Sequence, residues 1–380
     1  MLKYEMSVER IEQSGVLPDP VLSGGIFISA VETRVGPQQA KISVSQMFPW
    51  FGTLKAQSLQ TNYASKAAYF GYLETANKLV YSIKTSWYQL TYIEQQLSII
   101  NEQIEILNKL ENYMVIRFEN NQAILSDVLD IQMEKEKLQN SLNELKLTKA
   151  TLISEFYNTL NVRRQEDINT VTSFTEASLP DIVIDSVFRS NFRLRELEYH
   201  QSATEAALQE SKQRAKPSIG LGLDYVFVGE RNDVSIADNG KDVLMPMIRL
   251  QLPIFRKKYN AAIEEKRLQT NMLQQREQQL KNTLDSRWQK ALNNYAIAKN
   301  NLELSESLLT KAVKSKEIII TSYETGKKMY EDVLRVQHKL FDYQLMYLEA
   351  AHDLTRAVAE LEYLMSGDFL IMSEDNETIK

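Results

Sequence analysis

The residues of this sequence whose types and spacing most clearly suggest a functional role are two aspartates in a repeated turn. RFENNQAILSDVLDIQ, residues 117–132, and SYETGKKMYEDVLRVQ, residues 322–337, both end in the pattern Asp-Val-Leu-x-(Ile/Val)-Gln. Asp127 and Asp332 therefore hold matching positions, 205 residues apart. At the start of a helix, a carboxylate accepts hydrogen bonds from free backbone amides and interacts favourably with the helix dipole. Capping alone explains both aspartates, so any further role depends on where the fold places them.

Other kinds of reactive or ligand-binding site are poorly represented. The sequence has no Cys and only three His, and His338 and His352 stand fourteen residues apart. Metal ligands on one helix face are spaced by three or four residues instead. The sequence contains no Gly-rich phosphate loop and no GxSxG motif. We therefore expect no enzyme activity, no cofactor and no metal site, and the net charge of −6 gives no case for nucleic-acid binding.

The elements that must position the two turns are predicted to be very long helices. One Gly and no Pro occur from Thr53 to Phe118, and neither occurs from Lys257 to Tyr323. The later part of the first stretch has apolar residues at alternating spacings of three and four, which is a heptad seam typical of coiled coils. The seam residues are Leu90, Ile93, Leu97, Ile100, Ile104, Leu107 and Met114. Glu111 fills a gap in this seam, and Lys135 and Lys149 interrupt the seam of the returning helix.

The same seam resumes after each turn in the same register, because Val128 and Val333 are again 205 residues apart. The twin turns are therefore predicted to be the tips of two helical hairpins. The turn residues that tolerate a left-handed backbone are Asn120, Asn121 and Gly326.

Four further segments alternate with the two-residue period of β-strands. They are VLSGGIFISAV (21–31), AKISVSQMF (40–48), SIGLGLDYVFV (218–228) and VLMPMIRLQL (243–252). Each has about ten residues, the length of a tilted strand that crosses a membrane. Two hairpins of a soluble sheet would show the same alternation. Four strands cannot close a transmembrane barrel, whose smallest members have about eight, so strands that enter a membrane must share one barrel among several chains.

The predicted fold class is mainly α with a smaller β portion, arranged as a tandem repeat. In chain order, the expected parts are the tail of a truncated N-terminal helix (1–16), a first β-hairpin (17–52), a first helical hairpin with its tip at about 118–127 (53–160), an irregular segment (161–183), a helix (184–215), a second β-hairpin (216–255), a second helical hairpin with its tip at about 322–332 (256–366) and a tail (367–380).

Several short motifs occur in a specific order along this layout. LPDP precedes the first strand, QMFPWFG and LQLPIF mark the two strand-to-helix exits, and SYETGKKMYEDVL forms the second tip. With the repeat of about 200 residues, these motifs resemble the TolC family of outer-membrane efflux proteins over nearly the whole chain. The LPDP and QMFPWFG motifs are similar to those of members of the CusC or CzcC kind.

This resemblance implies a homotrimer in which twelve strands form a β-barrel in the lipid of the outer membrane of a Gram-negative bacterium. An α-helical barrel would continue it across the periplasm, and residues 161–183 would form an equatorial domain. The implied function is the passive exit duct of a tripartite efflux system. The duct would dock onto a periplasmic adaptor and an inner-membrane pump of the RND type, and would carry heavy-metal cations or drugs.

The resemblance also assigns roles at the hairpin tips, which form the periplasmic entrance in this family. Asp332 matches the position of a ring of acidic residues, which around a three-fold axis would repel one another and attract cations. Arg335 stands where the family often has a second acidic residue. Tyr323 and Lys328 match the aromatic and basic positions that hold the entrance closed. Their expected partner is Asp127 on the first hairpin, with Asp130 nearby.

A competing interpretation of long helical hairpins is a coiled-coil scaffold outside the membrane, or a periplasmic adaptor. The four alternating segments argue against a scaffold, which has no use for strands at matching positions in both halves. An adaptor usually carries one hairpin and a lipoyl-like or β-barrel domain, whereas this sequence repeats its hairpin in tandem.

Overall fold

Long helices dominate the fold, and four β-strands lie between them. The computed structural model describes residues 1–163, 184–233 and 235–365. In chain order the elements are α1 (Leu2–Glu12), β1 (Val21–Thr33), β2 (Gly36–Phe48), α2 (Thr53–Glu119), α3 (Leu125–Leu160), α4 (Ile184–Ser190), α5 (Phe192–Arg214), β3 (Ser218–Val228), β4 (Val243–Gln251), α6 (Arg256–Glu324) and α7 (Tyr330–Met365). The predicted fold class, mainly helical with a smaller β portion, is confirmed. Of the predicted equatorial segment and tail, residues 164–183 and 367–380 lie outside the described ranges.

The chain divides into two compact units. The sheet unit comprises Met1–Leu73 and Phe192–Lys281, so it holds the four strands, α1 and α5. The coil unit comprises Glu74–Asn191 and Asn282–Lys380, so it holds both helical tips. Within the described ranges, no helix is both long enough and apolar enough to cross a bilayer.

The strands form one antiparallel sheet in the order β1-β2-β3-β4. The sequence predicts two separate β-hairpins, and the structure joins them because β2 also pairs with β3, from Phe48 opposite Ile219 to Gln38 opposite Val228. The first hairpin is longer than predicted, since β1 and β2 pair up to Thr33 opposite Gly36. Pro37 suggested a loop because its nitrogen cannot donate to a ladder. Its carbonyl instead accepts a hydrogen bond from the Gly229 amide at 2.8 Å.

The heptad seam of the coil unit packs as its spacing predicts. Each of the seven seam residues of α2, from Leu90 to Met114, is at most 8% exposed. On the returning α3, Val128 and Ile131 are buried in the same cluster as Leu107 and Met114. Apolar side chains removed from water in this way are the main source of stability in a coiled coil.

The polar interruptions of the two seams contact each other. The Lys135 ammonium pairs with the Glu111 carboxylate, and the Gln132 side-chain amide donates to the same carboxylate at 2.8 Å. Lys149 of α3 pairs in the same way with Glu94 of α2. The hydrogen bond from Lys135 holds the pKa of Glu111 below its usual value. Both lysines that interrupt the α3 seam are therefore matched by carboxylates of α2, which favours one register of the helix pair.

The helix predicted over residues 184–215 is interrupted. The structure has α4 up to Ser190 and α5 from Phe192, with Asn191 between them outside either helix. Ser and Asn have low helix propensity because their short polar side chains compete for backbone hydrogen bonds. The Ser190 hydroxyl also donates to a carbonyl distant in sequence, that of Met365, at 3.2 Å.

Candidate functional site: the hairpin tips and the sheet

The two tips are built by the same hydrogen bonds, 205 residues apart. In the first tip, the amides of Asn121 and Gln122 donate to the carbonyls of Phe118 and Arg117 at 3.0 and 2.8 Å. In the second tip, the amides at the matching positions 326 and 327 donate to the carbonyls at 323 and 322, both at 2.9 Å. This pair of bonds is the Schellman motif, which needs a left-handed residue just after the helix. Asn121 with φ 59° and Gly326 with φ 73° supply it.

Both aspartates of the repeated turn cap the helix that follows. The Ile124 amide donates to Asp127 Oδ2 at 3.2 Å, and the Met329 amide donates to Asp332 Oδ2 at 3.4 Å. Each carboxylate thus satisfies a backbone amide that the helix itself leaves free. Asp130 lies one turn later on α3 and is exposed.

Asp332 also lies between two cationic side chains of its own segment. Its carboxylate is 3.5 Å from the Lys328 ammonium and 3.5 Å from the Arg335 guanidinium. The Asp332 side chain is 20% exposed, whereas Lys328 and Arg335 are 49% and 66% exposed. One carboxylate and two cations give this cluster a net positive charge within one chain, so Arg335 changes the electrostatics expected from the acidic position alone.

Tyr323 joins the two hairpins through its hydroxyl. Arg117 of α2 donates to the Tyr323 oxygen at 2.7 Å, and the hydroxyls of Tyr113 and Tyr323 share a hydrogen bond of 2.8 Å. The rings of the two tyrosines meet edge to face, with centroids 6.4 Å apart. Burial, followed by the hydrogen bond with Tyr113, raises the pKa of Tyr323. The ring is therefore held as a neutral phenol that accepts a charge-assisted hydrogen bond.

Tyr330, the first residue of α7, belongs to the buried cluster against which Tyr323 packs. Its side chain is 6% exposed, and its hydroxyl has no hydrogen-bond partner among the described residues. Burial raises the pKa of Tyr330, and the nearby Tyr323 and Asp127 add to the effect. Burying a hydroxyl without a partner costs about 1–3 kcal/mol. The packing of the Tyr330 ring must therefore offset this desolvation penalty.

The contacts within one chain differ from those that the resemblance implies. Tyr323 contacts Tyr113 and Arg117, and Lys328 contacts Asp332. Among the described contacts of the chain, neither is with Asp127, whose carboxylate caps α3 instead. Tyr113, Arg117 and Tyr330 were not identified from the sequence. A position-by-position comparison of the two repeats could have identified these three residues, because the other repeat has a different kind of side chain at each matching position.

The sheet has one strongly apolar face. Ile219, Leu221, Leu223, Tyr225 and Phe227 project on one side of β3, and their partners across the ladders include Ile248 and Leu250 on β4 and Val44 on β2. Isoleucines on this face are highly exposed: the exposed fraction is 81% for Ile248 of β4 and 80% for Ile26 of β1. A continuous exposed apolar face of this extent is typical of a surface that contacts lipid or another protein.

The opposite face of the sheet is mixed, because glycines and charged residues lie there beside Met47, Met245 and Met247. Gly220, Gly222 and Asp224 alternate on β3, and Lys41 of β2 forms an ion pair with Asp224, which is fully buried. Arg249 of β4 stands opposite Gly220 on the same face. An apolar face that is exposed and an opposite face that carries the charged residues, over about ten residues per strand, fit a barrel strand whose apolar side meets lipid.

Part of the chain matches a known protein family. Residues 183–367 match the family described as "Outer membrane efflux protein". The match contains β3, β4, the second helical tip and both helices around it. A search of curated protein sequences finds no match.

Solved structures share the fold across almost the whole chain. The outer membrane protein VceC from Vibrio cholerae has 13% identity and a TM-score of 0.77, over 97% of this chain and 92% of that one. The CmeC outer membrane channel of Campylobacter jejuni has 13% identity and a TM-score of 0.77, over 100% and 86%. CusC has 14% identity and a TM-score of 0.77, over 96% and 87%. These near-equal values do not favour the CusC-like subgroup expected from the LPDP and QMFPWFG motifs.

Proposed function

Because residues 183–367 match the outer membrane efflux protein family, we propose that three copies form the passive exit duct of a tripartite efflux system. That match supports the family resemblance and the outer-membrane location expected from the sequence. In the proposed assembly, three four-stranded sheets close one twelve-stranded barrel. The helical hairpins continue the conduit into the periplasm.

The observation that carries this proposal is the sheet. In the order β1-β2-β3-β4, the strands β1 and β4 each have one edge without a partner among the described residues. Lipid offers no hydrogen bonds to such edges, so a sheet with a lipid-facing apolar side has to close on itself. Four strands are too few for closure, because the smallest barrels have about eight. A second and a third copy supply the missing edges with the same chemistry, which is the usual logic of cyclic assemblies.

The two helical tips form the periplasmic entrance of the proposed duct. Asp332 contributes to a ring around the three-fold axis, and Lys328 and Arg335 soften its negative charge. The contacts of Tyr323 with Tyr113 and Arg117 tie the second hairpin to the first within each chain and oppose opening. Asp127 and Asp130 on the first tip then face the neighbouring chain, where Lys328 is their proposed partner.

The duct itself supplies no energy, so its partners decide what moves through it. A periplasmic adaptor would grip the helical hairpins, and an inner-membrane pump of the RND type would drive the export. We propose heavy-metal cations or drugs as the cargo. The genes next to this one would separate these two classes, because an adjacent pump carries the substrate pocket.

The proposal is tested by the location and mass of the particle. The chain is expressed in a Gram-negative host, the membranes are fractionated, and the detergent-solubilised particle is weighed. We expect an outer-membrane particle of three protomers, each contributing 43.8 kDa. A soluble monomer or dimer would refute the duct.

The entrance is tested by single-channel conductance in a planar bilayer. Arg335→Ala removes a cation beside Asp332 and is expected to shift the ion preference of the channel towards cations. Asp332→Ala is expected to shift it towards anions, and Arg231→Ala, in the loop between β3 and β4, controls for the loss of an arginine. If both tip variants kept the ion preference of the wild-type channel, a role for the ring would be contradicted.

A further inference from the structure

The region between the sheet and the helices contains a half-open cavity that the proposed duct does not use. Its volume is about 600 Å³. It is lined by four connections and the strand and helix ends beside them, with residues from 16–19, 47–57, 213–218 and 251–259. All of them belong to the sheet unit, so the cavity is formed within one compact body.

The lining of this cavity is cationic. Lys216 and Arg214 contribute to it, with Asp19 as the one acidic side chain among the lining residues. The Arg214 guanidinium is paired with Glu210 at 2.9 Å. No carboxylate of the described residues pairs with Lys216, whose ammonium lies 5.8 Å from the centroid of the Trp50 ring. The cavity therefore offers one unneutralised ammonium group beside an aromatic wall.

The cavity also offers a hydrogen-bond acceptor. The Oε1 atom of Gln213 is buried and has no hydrogen-bond partner among the described residues. Gln213 lines the cavity at the end of α5. Because a buried carbonyl without a donor is costly, the site favours a ligand that carries an N–H or O–H group close to its anionic group.

The surroundings of the cavity match the edge of a lipid bilayer. Phe51 is 82% exposed, Phe255 is 77% exposed and Ile254 is 69% exposed, all directly beyond the ends of β2 and β4. Lys257 and Lys258 follow Phe255 at the start of α6. Exposed aromatic residues next to cationic ones, at the ends of membrane-spanning strands, are typical of the interface between lipid tails and headgroups.

We propose that this cavity binds the headgroup of a phospholipid, and this inference rests on the proposed membrane function of the sheet. The phosphodiester would lie between Lys216 and Arg214, and a donor on the headgroup would bind the Gln213 carbonyl. The acyl chains would run along Phe51 and Phe255 towards the apolar face of the sheet. The ligand is a lipid with a hydrogen-bond donor next to its phosphate, such as one with a glycerol or ethanolamine headgroup.

The test is native mass spectrometry of the delipidated, detergent-solubilised trimer with added lipid. Phosphatidylglycerol is the probe, and phosphatidylcholine is its control, since it keeps the phosphate but has no headgroup donor. We expect one phosphatidylglycerol retained per chain and weaker retention of phosphatidylcholine. Lys216→Gln is expected to weaken retention about fivefold, the effect of one basic residue at an anionic lipid surface. Lys257→Gln, an exposed cation outside the cavity lining, is expected to leave it unchanged.

Equal weakening by Lys257→Gln would overturn the site, because it would mean that the lipid is held by diffuse attraction. Inorganic phosphate that binds the trimer and competes with the lipid at equal concentration would identify a free-anion site and overturn the lipid assignment. The same spectrum reports the number of chains. An intact trimer without retained lipid overturns this inference alone, whereas a single-chain mass overturns the proposed duct.

Discussion

His352 provides a quantitative test of how the coil unit is packed. It lies in α7 with its side chain 5% exposed, and its ring stacks on Tyr92 of α2 at a centroid distance of 4.5 Å. Burial lowers the pKa of His352 to about 4, the charge of Arg356 adds to the effect, and Asp353 opposes it. The folded protein therefore holds this imidazole neutral at pH values where an unfolded chain would protonate it.

The sign of the pH dependence follows from this difference. An unfolded histidine takes up a proton below a pH of about 6.5, whereas folded His352 does so only below about 4. The stabilisation is complete above about 6.5 and is lost as the pH falls through this window. A difference of this size corresponds to about 3 kcal/mol of folding free energy.

The assay is urea denaturation of the detergent-solubilised protein, followed by far-ultraviolet circular dichroism at about pH 7.5 and about pH 4.5. Carboxylates also titrate in this range, so the useful quantity is the difference between wild type and His352→Gln. We expect the wild type to lose about 2–3 kcal/mol more than the variant on acidification. His338→Gln removes a half-buried histidine of the same helix and should behave like the wild type. An equal loss in wild type and His352→Gln would refute the packing argument.

The remaining predictions concern the seam and the tips. Glu111→Gln and Lys135→Met, combined in a double-mutant cycle of urea denaturation, should give a coupling of about 1–3 kcal/mol, and a value below about 0.5 kcal/mol would contradict the pairing. This contribution should fade as the pH falls through the lowered pKa of Glu111. Gly326→Ala should cost about 1 kcal/mol from backbone strain alone, because no atom lies within 4 Å of the added carbon, while Asn121→Gly should not destabilise its tip. Tyr323→Phe removes the hydroxyl that links the hairpins and should raise the open probability of single channels, whereas unchanged gating would exclude it from closure.

The helical framework could be predicted from the sequence because it depends on local spacing. The heptad seam from Leu90 to Met114 is buried as its period predicts. The pairing of Glu111 with Lys135 was out of reach, because the polar interruptions are visible but the register between two helices depends on the turn that joins them. Each residue added to or removed from that turn would shift the register between the two helices.

The sheet shows the same division between local and distant information. Alternation identified all four strands, including β3 with its observed bounds Ser218–Val228. It could not predict that β2 pairs with β3, because some 170 residues of chain separate Phe48 from Ser218 and strand patterns carry no record of a distant partner. The helix predicted over 184–215 failed at Asn191 for a different reason, since periodicity is insensitive to a single residue outside the helix.

The repeat itself points to the functional tip, because the two copies share their turn geometry but differ in side chains. Tyr323 stands where the first copy has Phe118, and Tyr330 stands where it has Leu125. Each change adds one hydroxyl to a position that packing alone would fill with an apolar residue, and a buried hydroxyl costs free energy unless it is bonded. The turn needs neither hydroxyl, since the first tip forms the same backbone bonds without them. The Tyr323 hydroxyl links the two hairpins and the Tyr330 hydroxyl is buried without a partner among the described residues. Hydroxyls that the turn does not need are the kind of difference that a function explains, which is why the second tip is the better candidate for the moving part of the proposed entrance.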